Sequence, residues 1–488
     1  MTEKSYIVFR ADGNVDIGLG HIMRCLTLAK IFSDSEYKIL FICSKVSEFI
    51  GNVINSRNYK LEEIEGTFVS SFEDAKKSLK AIENINVEML VVDHYALDSR
   101  WEKDLIDNVN KLMVIDDLAN RSHHCDYLLD SSYGRLPDDY RKISNSNCKL
   151  LLGVDYCLLR PDFFSLRPAA IKKRKATTEI QSVLINFGGT DLQNLSIKTF
   201  SYLVESSYQG DVHILIASSC QYLQELIAAE KKFNNLNLHI DEQQVAKLML
   251  NADIAIGSVG TSSWERCCMG LPTIGVIVAS NQNNIAQQLA NIGAMILSSR
   301  DDLRENINTY ISEIDLVTWH KISNKAFEVC DGIGALRVAN TVLDPPVNIS
   351  LLEMDTRHED LLYTWQCETG NRQYSGNPAI PSLKEHKFWF KASLENSNRR
   401  MWLIVFNNSK CGYVRLDRQD KSEEISVLIS QTFRKLGLAN AAINQLKTLS
   451  HFNIIEAEVA ETNLASSALF QKLDFKKISN TRYQWVKP

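Results

Sequence analysis

Four short stretches of this 488-residue sequence hold residue types that do chemistry, at spacings that would let them act together. The first follows the apolar run YIVF (6–9) and reads RADGNVDIGLGHIMR over 10–24. Gly13, Gly18 and Gly20 allow the backbone to turn tightly against a ligand, and His21 stands where a helix is predicted to begin. An imidazole there can serve as a general base, kept neutral by the positive helix end. The plain alternative is a first-turn residue bonded to a carbonyl. Asp12 and Arg24, close by, are open to the same two readings. The second stretch is NFGGTD (186–191), whose Gly188, Gly189 and Thr190 would form one wall of a cleft. In the third, GSVGTSSWER (257–266), Gly260, Thr261 and Ser262 lead toward a helix expected near Trp264, with N–H groups and hydroxyls suited to a diphosphate. Glu265 could then accept from two ribose hydroxyls, or simply favour the helix dipole. Asn281 and Gln282, just after LPTIGVIV (271–278), are sugar contacts or turn residues. The fourth stretch, Arg434, Lys435, Leu436, Gly437, Leu438 and Ala439, follows the expected strand EEISVLIS (423–430), which includes Ile429; its glycine is a plain loop residue before a helix, or part of a second loop able to meet a diphosphate with main-chain amides.

Several chemistries are disfavoured. The strict G-x-G-x-x-G of dinucleotide sites fails at Met23, and no acid closes the next apolar run, KILFIC (38–43), so NAD is not expected. Neither Cys267-Cys268 nor His123-His124-Cys125 has a second cluster at zinc spacing, and no acidic metal motif stands out, so no metal is expected. A net charge of -5 gives no argument for nucleic acid or membrane binding. The basic run Lys172, Lys173, Arg174 and Lys175 reads as a solvated linker. With no export signal or run of 18 apolar residues, a cytoplasmic protein with reduced cysteines is expected.

The elements needed to position these residues follow from the apolar pattern. YIVF, KILFIC, MLVVD (89–93) and KLMVID (111–116) read as buried strands, and HIMRCLTLAKIF (21–32) has helical spacing. A second series contains SVLINFGG (182–189), DVHILIA (211–217), LNLHI (236–240), DIAIG (253–257) and LPTIGVIV. Alternation of strand and helix implies parallel sheets, hence two Rossmann-like lobes, 1–168 and 176–342, around a hinge at 166–178. Their cleft would collect the strand ends, where open α/β sheets bind ligands. Beyond the proline-stiffened LDPPVNIS (343 onward) an α+β domain, 349–488, is expected. There MWLIVF, CGYVRL and EEISVLIS predict an antiparallel meander.

The order RADG-x4-GLGH-x2-R, VVDHY (91–95), VIDD (114–117), NFGGTD, GTSSWER and SNQN (280–283) resembles the UDP-sugar hydrolases of pseudaminic acid biosynthesis, related in fold to MurG-type glycosyltransferases. The resemblance covers roughly 5–340. It implies hydrolysis of UDP-2,4-diacetamido-2,4,6-trideoxy-β-L-altropyranose to UDP and free sugar. By the same resemblance His21 polarises the water, Asp12 and Asp93 orient the sugar or tune the histidine, and Tyr95 contacts the sugar.

R-x-x-G-x-A at 434–439, with Asn463, Ser466 and the K-x-x-F ending at 472–475, resembles the GNAT N-acetyltransferases. That implies acetyl-CoA as cosubstrate, with Asn463 near the coenzyme arm and Ser466 on the same helix face. Phe470 departs from the family, where a tyrosine commonly protonates the leaving thiolate; phenylalanine cannot. Glu368, Arg372, Tyr374, His386 and Glu424 are candidate polar groups toward the acceptor. H-x2-WF (386–390) resembles acetyltransferases of amino sugars, including the one preceding the hydrolase in that pathway. The implied whole is a bifunctional enzyme that N-acetylates a UDP-4-amino sugar and then hydrolyses the product. Two other readings are a glycosyltransferase joined to an acetyltransferase, and a hydrolase carrying a non-catalytic coenzyme A module. The oligomeric state is left open.

Overall fold

The computed structural model describes residues 5–13, 20–35, 37–44, 46, 48–64, 70–312, 316–343, 349–368, 370–375, 377–406, 409–434 and 436–487. Gly18, Lys435 and most of the predicted proline linker lie outside the described residues. Two compact units are present, Met1–Val338 and Ala339–Pro488.

The first unit contains two parallel sheets. Tyr6–Ala11 (β1), Lys38–Cys43 (β2), Lys60–Glu63 (β3), Val87–Asp93 (β4), Leu112–Ile115 (β5), Tyr127–Asp130 (β6) and Lys149–Leu152 (β7) form a sheet in the order β3-β2-β1-β4-β5-β6-β7. Every pairing in it is parallel. Strands β1 and β4 carry no exposed residue because helices cover both faces, hence their unbroken apolar runs. Strand order reverses between β1 and β4, and their carboxyl ends deliver Asp12 and Asp93 to the same crevice.

The second lobe repeats the plan with Ser182–Asn186 (β8), Asp211–Ile216 (β9), Leu236–Ile240 (β10), Ile254–Ser258 (β11), Thr273–Val276 (β12) and Ile296–Ser298 (β13), ordered β10-β9-β8-β11-β12-β13. Its reversal lies between β8 and β11, so Gly188-Gly189 and Gly260-Thr261 emerge side by side.

The predicted hinge at 166–178 is instead part of a continuous helix, Pro161–Ala176, with Pro168 inside it. The basic run expected to be solvated puts Arg174 at 1% exposure. Arg174 donates to the carbonyls of Ala252 (2.6 Å), Met249 (2.7 Å) and Met269 (3.4 Å), groups at the C-terminal ends of two helices. Arg167 does the same for Cys268, Cys330 and Phe327. Helix-end carbonyls carry partial negative charge and so can hold these two guanidinium groups, while Lys173 of the same helix pairs with Asp253 at 2.9 Å. Spacing alone could not distinguish these arginines from exposed ones.

The second unit holds Ser350–Glu353 (β14), Arg399–Phe406 (β15), Ser409–Arg418 (β16), Glu423–Ile429 (β17), Ile454–Glu458 (β18), Lys476–Lys477 (β19) and Arg482–Val486 (β20), in the order β14-β15-β16-β17-β18-β20-β19. The expected antiparallel meander is β15-β16-β17. Strands β17 and β18 run parallel and pair only through Glu423↔Ile455 and Glu424↔Glu456. Beyond that point no strand among the described residues pairs with Ile425–Ile429 on that edge. No helix among the described residues is long and apolar enough to cross a membrane.

Replacing Arg174 with Met strands the Met249 and Met269 carbonyls, leaves that of Ala252 to Lys173 at 3.4 Å, and removes one buried charge. At about 1–3 kcal/mol per unsatisfied group, less the desolvation regained, the first unit should lose about 2–4 kcal/mol. Urea unfolding of Arg174→Met against the parent chain measures this; a change below about 0.5 kcal/mol contradicts the capping role.

Candidate functional site

Asp93 is fully inside the protein, and its two oxygens are met by His21, Arg24 and the Cys25 thiol. Oδ1 meets His21 Nδ1 at 2.6 Å and Arg24 Nη2 at 2.6 Å, and Oδ2 accepts from Arg24 Nε at 2.5 Å. Burial pushes this carboxyl's pKa up, but the Arg24 charge and then His21 outweigh it, holding the group well below the usual carboxylate range. An ionised oxygen 2.6 Å from Nδ1 requires the proton on Nδ1, because two lone pairs would repel there. Arg24 Nη2 lies 3.2 Å from the same nitrogen but only donates, so that approach is a contact through the shared oxygen. In the neutral form of His21 the lone pair is then on Nε2, which has no hydrogen bond among the described residues. The imidazole is further fixed by Tyr95, whose ring stands edge-on at 4.5 Å.

Asp117 extends this cluster. It accepts from Arg24 Nη1 at 3.0 Å and from the Tyr95 hydroxyl at 2.9 Å. Burial and the Asp117 charge both raise the Tyr95 pKa, so the phenol stays protonated and donates. The Asp117 carbonyl is held by Arg135 (2.8 Å), which also ion-pairs with Asp130. Asp130 in turn accepts from Tyr140 (2.7 Å), which also reaches Asp116 at 2.9 Å. Asp117 belongs to the VIDD motif, but neither residue type nor spacing singles it out there.

Asp12, at the end of the neighbouring strand, has a different set of partners. It is 2% exposed and accepts from Arg10 (2.7 Å), the Ser44 amide (2.8 Å) and the Ser44 hydroxyl (2.5 Å). His94 Nε2 stands 3.2 Å from it, while His94 Nδ1 accepts from the Ala96 amide at 3.1 Å. Asp12 thus braces the residue next to Asp93 and has no hydrogen bond to His21.

Between the lobes is a cavity of about 300 Å³. Gly20 and Arg24 line one side, and Asn186, Gly189, Thr261, Trp264 and Glu265 the other. Gly188 has a φ of +98°, a region that favours glycine, and its N–H closes on the Asn186 side chain at 3.0 Å. Thr190 is half-buried. The helix here is Ser262–Cys268. The amides of Ser263 and Trp264 fold back on the Gly260 and Thr261 carbonyls, whereas those of Thr261 and Ser262 make no hydrogen bond among the described residues. Burial raises the Glu265 pKa, opposed by Arg160, whose guanidinium is 4.0 Å away. Arg160 also lines the cavity and donates to Gln243 O at 2.8 Å. No glycine loop or motif announces it in the sequence. Gln282 accepts from the Val278 amide at 3.0 Å, and Asn281 sits in the same short turn, Ser280–Gln282.

In the second unit Gly437 has a φ of +71° and caps the helix Leu438–Leu449. Leu436 and Leu438 are buried and Ala439 is half-buried, so side chains on both sides of the glycine anchor the turn. It follows the open end of β17, where Ile429 is half-buried. Arg434 is exposed and bonded to Asn371. Asn463 caps Leu464–Lys472 by accepting from the Ser466 amide at 3.1 Å. Glu368 accepts from the Ser430 hydroxyl and Gln431 amide, each at 2.7 Å, which ties it to the start of the same loop. His386 is 1% exposed and bonded to Gln366 and the Glu359 carbonyl, and Arg372 is bonded to Ala379 and Asn377 carbonyls. Tyr374 is exposed and Glu424 half-buried. Phe470 packs against Phe475 and Tyr483.

Comparison with known proteins agrees with this division. Residues 349–476 match the model of the acetyltransferase (GNAT) domain. The chain is 23% identical over 497 residues to an uncharacterised protein of Methanocaldococcus jannaschii, covering 98% of this chain and 99% of that one. It is 29% identical over 288 residues to the UDP-2,4-diacetamido-2,4,6-trideoxy-beta-L-altropyranose hydrolase of Campylobacter jejuni, covering 59% of this chain and 97% of the relative. Acinetobacter baumannii MurG superposes with a TM-score of 0.50 at 12% identity, covering 70% of this chain and 99% of that one. The first unit is thus a homologue of that hydrolase with a MurG-like fold, and the chain ends in a GNAT acetyltransferase domain.

Two substitutions probe these sites. Asp93→Asn can present its NH2 group to Nδ1 and invert the tautomer; UDP release from a UDP-sugar substrate should fall by roughly 10³–10⁴-fold, as for other orienting carboxylates, with little change in KM. Less than a tenfold fall in kcat contradicts the orienting role. At Gly437, a Cβ would stand 3.2 Å from Asn340 Oδ1 on a positive-φ backbone. Gly437→Val should therefore cut acetyl-CoA affinity at least tenfold by calorimetry, and unchanged affinity would remove that turn from the coenzyme site.

Proposed function

We propose that the first unit hydrolyses a UDP-linked amino sugar to UDP and free sugar, and that the second N-acetylates a UDP-4-amino-sugar precursor of that substrate. The observation that carries the first half is the His21–Asp93 pair, held by Arg24 and next in sequence to Gly20, two residues that line the same cavity as Thr261 and Glu265. A base close to a cavity that a nucleotide-binding turn lines is what anomeric hydrolysis needs.

In this reading Nε2 takes a proton from water as the water attacks the anomeric carbon and the bond to the β-phosphate oxygen breaks. Asp93 keeps the imidazole in the required tautomer and stabilises the imidazolium that forms. Tyr95, Gly20 and Arg24 border the sugar. Asp12, expected from its motif to be catalytic, acts instead through His94 to place the end of β4. Gly188, Gly189, Thr190, Gly260, Thr261 and Ser262 receive the UDP, Glu265 the ribose, and Asn281 and Gln282 the sugar rim. The 29% identity to the Campylobacter enzyme supports the diacetamido-trideoxy-altrose sugar and, with it, a place in pseudaminic acid biosynthesis.

The second unit suits acetyl-CoA. Past its short pairing with β18, β17 has no strand beside Ile425–Ile429 on that edge among the described residues, and the Gly437 turn opens a 12-residue helix toward a diphosphate. Arg434, Lys435, Leu436, Leu438 and Ala439 would hold the coenzyme with Gly437, and Asn463 and Ser466 its arm. The bound thioester supplies the acetyl group. Having both sites in one chain raises the local concentration of the shared intermediate.

His21→Ala should abolish UDP release while leaving amine-dependent thiol release from acetyl-CoA within about twofold of the parent. UDP release that requires an added sugar acceptor would identify a glycosyltransferase instead. Loss of both activities would contradict separate sites.

A further inference from the structure

Arg266 is 2% exposed, yet its charge is poorly answered. Its Nη2 donates to the Ser258 carbonyl at 2.6 Å and lies 3.2 Å from the Ser263 hydroxyl. Nε and Nη1 are buried with no acceptor among the described residues. No carboxylate lies within ion-pair distance of it there; neighbouring Glu265 is directed to Arg160 and the cavity. The other fully buried arginines differ. Arg10 has Asp12 and Asp74, and Arg174 has its three carbonyls. An ion without such compensation costs several kcal/mol, so a role in packing alone does not account for it.

Its place in the lobe is informative. A Cβ on Gly257 would stand 2.9 Å from Nη1 and 2.0 Å from the Asn186 carbonyl, so the guanidinium lies against the ends of the two strands where the order reverses. The turn above it contributes Thr261 to the cavity, beside Asn186 and Gly189. The guanidinium pKa, lowered by burial to about 10, still leaves it charged at neutral pH.

We propose that Arg266 is a fixed buried cation whose counter-charge is the diphosphate of the bound nucleotide, so that the lobe selects a nucleoside diphosphate over an uncharged nucleoside. The inference rests on reading 257–263 as the nucleotide turn. Nη1 and Nε are enclosed, so Arg266 acts through its field and through Ser258 and Ser263, as a positioning residue. Charge gained by the β-phosphate as the sugar departs would be stabilised more strongly here than in water.

Calorimetry of the full chain with UDP and with uridine tests this. Arg266→Met should weaken UDP at least tenfold and change uridine less than twofold, whereas Arg266→Lys should keep most of the UDP preference at pH 7. Should the Met variant not fold, the Lys variant decides. A buried ammonium loses its proton more readily than a guanidinium, so its UDP affinity should fall between pH 7 and 9 while its uridine affinity stays level. Equal losses for both ligands, or UDP binding unchanged in the Met variant, overturn the proposal. A parent chain that binds neither ligand refutes the nucleotide site itself.

Discussion

A single buried carboxylate organises the first lobe. Asp93 could not remain ionised at zero solvent contact without Arg24, and Arg24 would be an uncompensated cation without Asp93 and Asp117. The Asp93 oxygen that Arg24 shares with the imidazole dictates the tautomer of His21. The geometry is over-determined. Tyr95 is bonded to Asp117 and stacked edge-on against the imidazole, and Arg135 and Tyr140 support Asp117 through Asp130. Such a network loses little by reorganisation during a reaction, because its dipoles are already aligned.

The second lobe handles charge differently. It holds Arg167 and Arg174 on helix-end carbonyls, and it leaves Glu265 and Arg160 4.0 Å apart beside the cavity. A nucleotide brings negative charge of its own, so a lobe that receives one can hold cations in reserve where a catalytic lobe cannot. The two parallel sheets, alike in plan, are thus electrostatically distinct: one pairs an imidazole with a buried carboxylate, the other holds the buried Arg266 with no carboxylate within ion-pair distance among the described residues.

Much of this was legible in the sequence because buried parallel strands are apolar on both faces. KILFIC and LNLHI coincide with β2 and β10, and the glycine loops fall at both strand-order reversals. Short strands such as Lys60–Glu63 and Lys149–Leu152 gave no such signal, since an edge strand of four residues is half solvated and carries little hydrophobic pattern. The helix Pro161–Ala176 was obscured by Pro168 and its basic run, whose partners are main-chain carbonyls that no side-chain pattern encodes. His21 and Asp93 could be singled out by motif, whereas Asp117, Arg160 and Arg266 act through contacts across 93, 105 and 8 residues of chain, which only the fold reveals. Asp12 shows the converse. Its motif marked it as a residue that orients the sugar or tunes the histidine, and the fold adds its bonds to Arg10, Ser44 and His94, which no spacing announces.

The proposed chemistry of the first unit requires water, activated at His21 Nε2, to attack the anomeric carbon. Turnover of the UDP-diacetamido sugar in H2¹⁸O, followed by mass spectrometry of both products, addresses this directly. One ¹⁸O in the first-formed sugar, recorded before anomeric exchange with solvent, and none in UDP is the predicted result. Label in the β-phosphate of UDP would mean that water attacks phosphorus, and the His21–Asp93 pair would not be the base for attack at carbon.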